Sequence, residues 1–258
     1  MFSRVIWQYW ETRGHKPAFI DGLHAIAKRN AGVEVILVTP ETLGQYLPNI
    51  PPEIFNIGEL AHKADMLRAM LVRRHGGMWL DSDAIVLQKL DWILDLLDTY
   101  EFVCFNDGGS IARGRPFVRV NCFASRAGGL IASEWVRQQH ALLPRTRFRW
   151  AEIGSRLLHP ICFDHQEKLK ILPFEAIAPI PWNEAAEFIN PEFDASSILR
   201  DCYMVMLNNN SLKSRAPLLR NMTVERIAHG DFLLSAVMRH AMKVAGLTIP
   251  TVEALNAD

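Results

Sequence analysis

Residues His62 to Asp83, HKADMLRAMLVRRHGGMWLDSD, decide how the rest of the chain is read. The stretch reads as a helix, a glycine stop, a short apolar strand and two aspartates one residue apart. Leu60, Ala64, Leu67 and Leu71 recur at helical spacing and predict a buried stripe. Asp65 and Arg68 fall off that stripe and three residues apart, so they share one flank of the helix as neighbours. Gly76 and Gly77 end the helix, because glycine takes the left-handed cap conformation without a Cβ penalty. Met78-Trp79-Leu80 fits a buried strand, and Asp81-Ser82-Asp83 stands at its exit. A strand that runs into paired acids places carboxylates at a sheet's carboxyl edge, where open α/β sheets bind ligands.

Two carboxylates in D-x-D spacing suit a hard divalent cation, since Mg²⁺ and Mn²⁺ prefer oxygen ligands. Such sites take one or two protein carboxylates and let substrate phosphates complete the shell. The motif is short, and a solvated turn after a strand is the alternative reading. For Asp65 and Arg68 the alternative is a helix-surface ion pair contributing less than about 1 kcal/mol.

The chain has 258 residues, which fits one α/β domain, with or without a small helical appendage. Lys+Arg and Asp+Glu both number 28, so nothing points to a nucleic-acid partner, for which a basic excess is expected. Cys104, Cys122, Cys162 and Cys202 are scattered with no C-x-x-C spacing. That argues against structural zinc and a disulfide framework, and fits a reducing compartment. The first residues, MFSRVIWQYW, run straight into a strand pattern with no signal-peptide h-region, and no apolar run approaches a membrane span. The expectation is a cytoplasmic protein of a single domain.

Outward from the central stretch, Arg4 to Tyr9 predicts a first strand whose end is crowded with Trp7, Tyr9 and Trp10. These aromatics are a platform for a nucleotide base or, for at least one of them, core. Pro17 opens a helix to about Asn30, and Val33 to Val38 predicts a buried parallel strand. Thr39-Pro40-Glu41 reads as a helix start with Thr as cap. Strand, helix, strand, helix is the pattern of a parallel sheet covered by helices. Beyond Asp83, strands are expected at Ala84–Leu87, Phe102–Phe105, Val118–Phe123, Leu169–Leu172 and Tyr203–Leu207. Helices are expected at Trp92–Leu97, Gly129–Leu142 and, one or two of them, Val224–Val244. Asn106–Pro116, rich in glycine, is a candidate lid or acceptor loop. Asn121 is a polar residue inside an apolar strand, either a satisfied core amide or a reach toward a substrate hydroxyl. The basic and aromatic run Arg145–Trp150 suits a solvated surface, or else contact with a phosphate or an anionic membrane.

The joint order of these pieces resembles a known family. Ala61-His62-Lys63-Ala64-Asp65-Met66-Leu67-Arg68 followed by Gly76-Gly77-Met78-Trp79-Leu80-Asp81 is similar to the DXD sugar-binding region of family 32 glycosyltransferases. It is closer still to the pattern a-H-x-S-D-x-x-R, then G-G-x-W-x-D, of bacterial capsular polysaccharide synthesis proteins. Ile6-Trp7-Gln8-Tyr9-Trp10 resembles the first-strand motif I-W-x-Y-W, and Trp150 to Ser155 resembles a later W-x-x-x-G-P segment. Ala64 departs from the small hydroxyl residue of the pattern, and Leu207-Asn208 stands where relatives carry histidine and tryptophan.

The resemblance implies a GT-A-like nucleotide-binding sandwich: a mixed, mostly parallel sheet flanked by helices, with a helical C-terminal segment. Its nucleotide-sugar half would span about 1–105, and its acceptor and lid half about 106–258. It implies transfer of a sugar from a nucleotide-sugar donor, UDP-sugars favoured, to a glycan or lipid-linked saccharide acceptor in surface polysaccharide synthesis. Retention of anomeric configuration, Mn²⁺ or Mg²⁺ as cofactor and a peripheral association with the membrane's inner face belong to the same expectation. Carried over residue by residue, Trp10, with Tyr9 beside it, would meet the base. Asp65 would bind sugar hydroxyls and Arg68 the sugar and diphosphate. Asp81 would face the ribose and metal-bound water, and Asp83 would hold the metal. Asn121 would reach the sugar, and Asn208 the metal or phosphate. Two rivals use the same residues differently: a sugar-nucleotide sensor that only binds, and a D-x-D phosphatase with Mg²⁺, whose motif normally opens the first strand.

Overall fold

The structure, a computed structural model, describes residues 3–11, 16–106 and 118–255. In chain order the elements are β1 (Val5–Tyr9), α1 (Phe19–Asn30), β2 (Glu34–Val38), α2 (Leu43–Tyr46), α3 (Leu60–His75) and β3 (Gly77–Leu80). Next come β4 (Ala84–Val86), α4 (Asp91–Asp95), β5 (Phe102–Asn106), β6 (Val118–Ser125), α5 (Leu130–Ala141), α6 (Ser155–Asp164) and β7 (Leu169–Leu172). The chain closes with α7 (Ser196–Asp201), β8 (Met204–Met206), α8 (Asn209–Arg215), α9 (Val224–Ala228), α10 (Leu233–Val244) and α11 (Val252–Leu255).

These elements form two compact units, neither of them one continuous stretch. The first takes Met1–Arg13, Glu34–Asp81 and Asp91–Phe174; the second takes Gly14–Val33, Ser82–Leu90 and Glu175–Asp258. The first unit holds a six-stranded sheet in the order β2-β1-β3-β6-β5-β7. β1 is parallel to β2 and β3, and β5 is parallel to β7, while β6 runs antiparallel to β3 and β5. Helix α3 packs on β1, β3 and β6, α6 packs on β6, and α5 packs on both helices. Trp7, Leu67, Leu71, Trp79, Phe123, Trp135 and Leu158 share the resulting apolar core. The expected mixed sheet flanked by helices is therefore observed, as is the helical C-terminal segment.

Helix α3 is more deeply buried than its apolar stripe implies. His62, Lys63, Asp65 and every residue from Met66 to Val72 are buried, because the sheet takes one side and α5 and the turn at Pro52–Asn56 take others. Leu60, expected in the stripe, is 48% exposed at the helix start. Asp65 and Arg68 are correspondingly buried rather than lying on a solvent flank. Gly76 ends the helix at φ 70°, and Gly77 begins β3 at φ 92°. A Cβ on Gly77 would stand 2.5 Å from the carbonyl oxygen of Val5, so the double glycine lets β3 lie against β1.

Two expectations are corrected here. Val33–Val38 is an edge strand with Glu34 exposed, not a strand buried on both faces, because β2 ends the sheet. Thr39-Pro40-Glu41 is a turn rather than a helix start: the Thr42 and Leu43 amides donate to the Thr39 carbonyl, and α2 begins at Leu43. The candidate lid lies, apart from Asn106, outside the described residues.

In the second unit β4 and β8 form an antiparallel pair, Ala84 opposite Met206 and Val86 opposite Met204. Asn30, at the end of α1, donates to the carbonyls of Val86 at 2.7 Å and Ala241 at 3.0 Å, tying α1 to β4 and α10. Thr223 caps α9 by accepting from the Arg226 amide. Among the described residues no helix is long and apolar enough to cross a membrane.

Candidate active site

In the first unit the chain passes from β1 outward to β2 and then returns across β1 to β3. Crossovers that leave a strand in opposite directions open a crevice at its carboxyl end, where open α/β sheets take ligands. Tyr9 and Leu80 are the last residues of the two strands at that crevice, and Trp10 and Asp81 follow them.

The three clustered aromatics divide their roles. Trp7 is core: its indole donates to the Gly76 carbonyl at 2.9 Å and packs edge-on against Tyr46. Tyr9 is 8% exposed, and its hydroxyl donates to Glu11 Oε2 at 3.2 Å. Trp10 is the more open of the three, half-buried, with its amide donating to the Val38 carbonyl at 3.1 Å.

Beside this edge α3 delivers Asp65 and Arg68. Arg68 Nε lies 3.5 Å from Asp65 Oδ1, and its Nη2 lies 3.3 Å from Asp81 Oδ1. The same guanidinium donates to the carbonyls of Val120 and Ala64 and stands 5.1 Å from the Trp79 ring centroid. The Trp79 indole donates to Asp81 Oδ1 at 2.7 Å, so β3 supplies both the acid and the group that orients it. One cation thus serves two carboxylates, the buried Asp65 and the half-buried Asp81, which cannot both be fully neutralised. Burial pushes the Asp65 carboxyl up to about 6 against the pull of Arg68, with the Asp81 charge adding to the rise. Burial also raises Asp81, opposed by Arg68 and by the Trp79 hydrogen bond.

Asn121 closes the same edge from β6. Its carbonyl accepts from the Asp81 amide at 2.9 Å, and its side-chain Oδ1 is buried with no hydrogen-bond partner among the described residues. Sequence reasoning named Asn121 but missed three supports. Gln139 on α5 donates to the Asp65 carbonyl and the Ile153 carbonyl, both at 2.9 Å. Gly154 lies against the Asp65 carboxyl, where a Cβ would stand 2.6 Å from Oδ2. Lys63 on α3 makes a buried ion pair with Glu11 at 2.9 Å. Only Gly154 left a trace in the sequence, as the glycine of the W-x-x-x-G-P resemblance; nothing in a residue pattern shows which acid a buried lysine meets.

The second unit gathers the other acid. Asp83 precedes β4, and the β4–β8 ladder continues into it: the Leu207 amide donates to the Asp83 carbonyl at 3.1 Å. Asp83 Oδ2 then accepts from the Asn209 amide at 2.6 Å. Asn208, at φ 51°, turns the chain from β8 into α8. Asp83 and Asn208 therefore share one strand end. Their oxygens are hard donors, and an oxygen engaged by one N–H keeps a second lone pair. Among the described residues no group of three or more His, Cys, Asp or Glu side chains forms a ready cation cage. Few carboxylates with amide oxygens fit Mg²⁺ or Mn²⁺ that completes its shell with phosphate and water.

A concavity of about 740 Å³ lies elsewhere, lined by Arg73, Arg74, Ser133 and His140 among others. Its lining includes no carboxylate.

The first unit is thus an α/β fold that sets two acids and an arginine at a topological switch point. The family described as capsular polysaccharide synthesis protein matches residues 2–127, just under half of the chain, and this bears out the resemblance drawn from the motifs. The human lactosylceramide 4-alpha-galactosyltransferase is 30% identical over 135 residues, covering 50% of this chain and 36% of that protein. The gorilla protein of the same name is 32% identical over 136 residues, covering 50% and 39%. The chain thus spans well under half the length of these two relatives. Among solved structures, the apo form of mouse xyloside xylosyltransferase 1 overlaps 81% of this chain and 98% of its own, at 10% identity and a TM-score of 0.49.

Proposed function

We propose that the protein is a metal-dependent glycosyltransferase that moves a hexose from a nucleotide-sugar donor to a glycan or lipid-linked saccharide, with retention, in surface polysaccharide synthesis. The observation that carries the reading is Arg68 held between Asp65 and Asp81 at the carboxyl edge of β1 and β3. The names of the relatives add a transferase, an α-linked product and a glycolipid acceptor.

In this reading Trp10 stacks on the base at the end of β1, with UDP-sugars the favoured donors. Asp65 and Asn121 Oδ1 accept hydrogen bonds from sugar hydroxyls, and Asp81 faces the ribose. Arg68 turns its fork to the diphosphate, since a guanidinium matches phosphate oxygens in pairs. A Mn²⁺ or Mg²⁺ ion, held by Asp83 with Asn208 as a further oxygen donor, would supply charge neutralisation for the departing diphosphate. A fixed donor aimed at developing negative charge contributes roughly 3 kcal/mol. Asp65 positions the sugar, and alignment alone lowers a barrier by several kcal/mol. The acceptor's proton passes to the leaving phosphate. The basic and aromatic run Arg145–Trp150, with Trp150 72% exposed, offers the surface for a peripheral membrane association.

Incubation with Mn²⁺ and a panel of UDP-, GDP- and CMP-sugars tests this function. Slow donor hydrolysis, lost on chelation, is the expected result. Donor binding without turnover would leave a sensor, and phosphate release from monoesters would leave a phosphatase.

A further inference from the structure

We infer that Glu11 and Lys63 are positioning residues that fix Trp10 over the donor's base; this rests on the function proposed above. Glu11 is 7% exposed and Lys63 5% exposed, and neither has an evident place in the core of an α/β unit. Lys63 Nζ lies 2.9 Å from Glu11 Oε2, and the Tyr9 hydroxyl reaches the same oxygen at 3.2 Å. A buried ion pair of this kind is a poor source of stability, because desolvating both charges offsets most of their attraction. Its retention is better explained by what it joins. Glu11 lies one residue beyond Trp10, and Lys63 lies two residues before Asp65. The pair therefore ties the exit of β1 to the first turns of α3, the two segments that carry the base platform and the sugar-contacting acid.

The geometry separates the clamp from the platform. Tyr9 and Glu11 meet on one oxygen, so residue 10 between them is held at both of its neighbours. Its own amide is tied to Val38 on the other side of β1. An indole whose own amide is tied to Val38, and whose two sequence neighbours are joined through their side chains, loses little freedom when a base arrives, and affinity follows from that preorganisation.

The test uses the full chain labelled with 5-fluorotryptophan, with the Trp10 fluorine resonance assigned from Trp10→Phe. Lys63→Met alone leaves a buried carboxylate and is expected to lower the melting temperature. The double variant Glu11→Gln with Lys63→Met removes both charges at similar volume and is expected to melt near the wild type. In that double variant the Trp10 resonance should broaden or split while those of Trp79 and Trp135 hold, and UDP should bind roughly tenfold more weakly. An unchanged Trp10 line in a folded double variant overturns the inference. A wild-type Trp10 line that no nucleotide moves counts instead against the base-stacking reading, while the line shape of the variant still decides the clamp.

Discussion

Arg68 Nη2 lies 3.3 Å from Asp81 Oδ1, joining the middle of α3 to the end of β3. The contact is buried on the arginine side, at 7% side-chain exposure, and open on the aspartate side, at 29%. The guanidinium is thus shielded from solvent while its carboxylate partner stays partly open. A helix-surface ion pair would have shown both partners solvated.

The raised Asp65 carboxyl makes stability depend on pH with a definite sign. Its value of about 6 in the folded protein exceeds its ordinary 3.8, so the folded state holds the proton more tightly. The stabilisation is full below about pH 4 and is lost as pH rises toward 6, amounting to on the order of 3 kcal/mol. Asp65→Asn should flatten that part of the pH–stability curve and raise stability near pH 7, read by denaturant titration at several pH values. A variant with the wild-type pH slope between 4 and 6 would show that Asp65 is not the group responsible.

Gly154→Ala tests the wall behind Asp65. The new Cβ would stand 2.6 Å from Asp65 Oδ2, too close for either to stay in place. Overpacking of this kind costs about 1–3 kcal/mol, and the displaced carboxyl should raise the donor's KM or lower kcat. A variant with wild-type melting temperature and kinetics would mean that the two segments part freely.

Asp83→Asn separates charge from shape. Its amide oxygen can still accept from the Asn209 amide, so the turn into α8 should persist and the melting temperature should hold. Metal-dependent turnover should fall by about 10²-fold or more, the cost of losing a charge-stabilising group. Activity within a few-fold of wild type would remove Asp83 from the metal's ligands.

The sequence made the sheet legible where local pattern and burial agree. Met78-Trp79-Leu80 and Phe102–Phe105 are short apolar runs that became buried strands, and the glycine pair marked the end of α3. It misled where burial depends on neighbours distant in the chain. The stripe on α3 could not show that α5 covers another side, nor could Val33–Val38 show that β2 would be an edge. The same divide runs through the candidate site. Asp65, Arg68 and Asp81, named from the motif, sit together with Asn121, named as a polar residue inside an apolar strand. Lys63 with Glu11 and Gln139 with Asp65 are long-range pairings, set by the packing of α3 and α5, that no spacing encodes.

In the proposed function Arg68 meets the diphosphate of a nucleotide sugar, and Arg68→Lys tests that contact. Lysine keeps the charge near Asp65 and Asp81 but loses the fork that reaches paired phosphate oxygens. Steady-state nucleotide release from the best donor of the panel, with Mn²⁺ and at matched melting temperature, should fall about 10²-fold. Unchanged kinetics in Arg68→Lys would contradict the claim and return Arg68 to a purely structural ion pair.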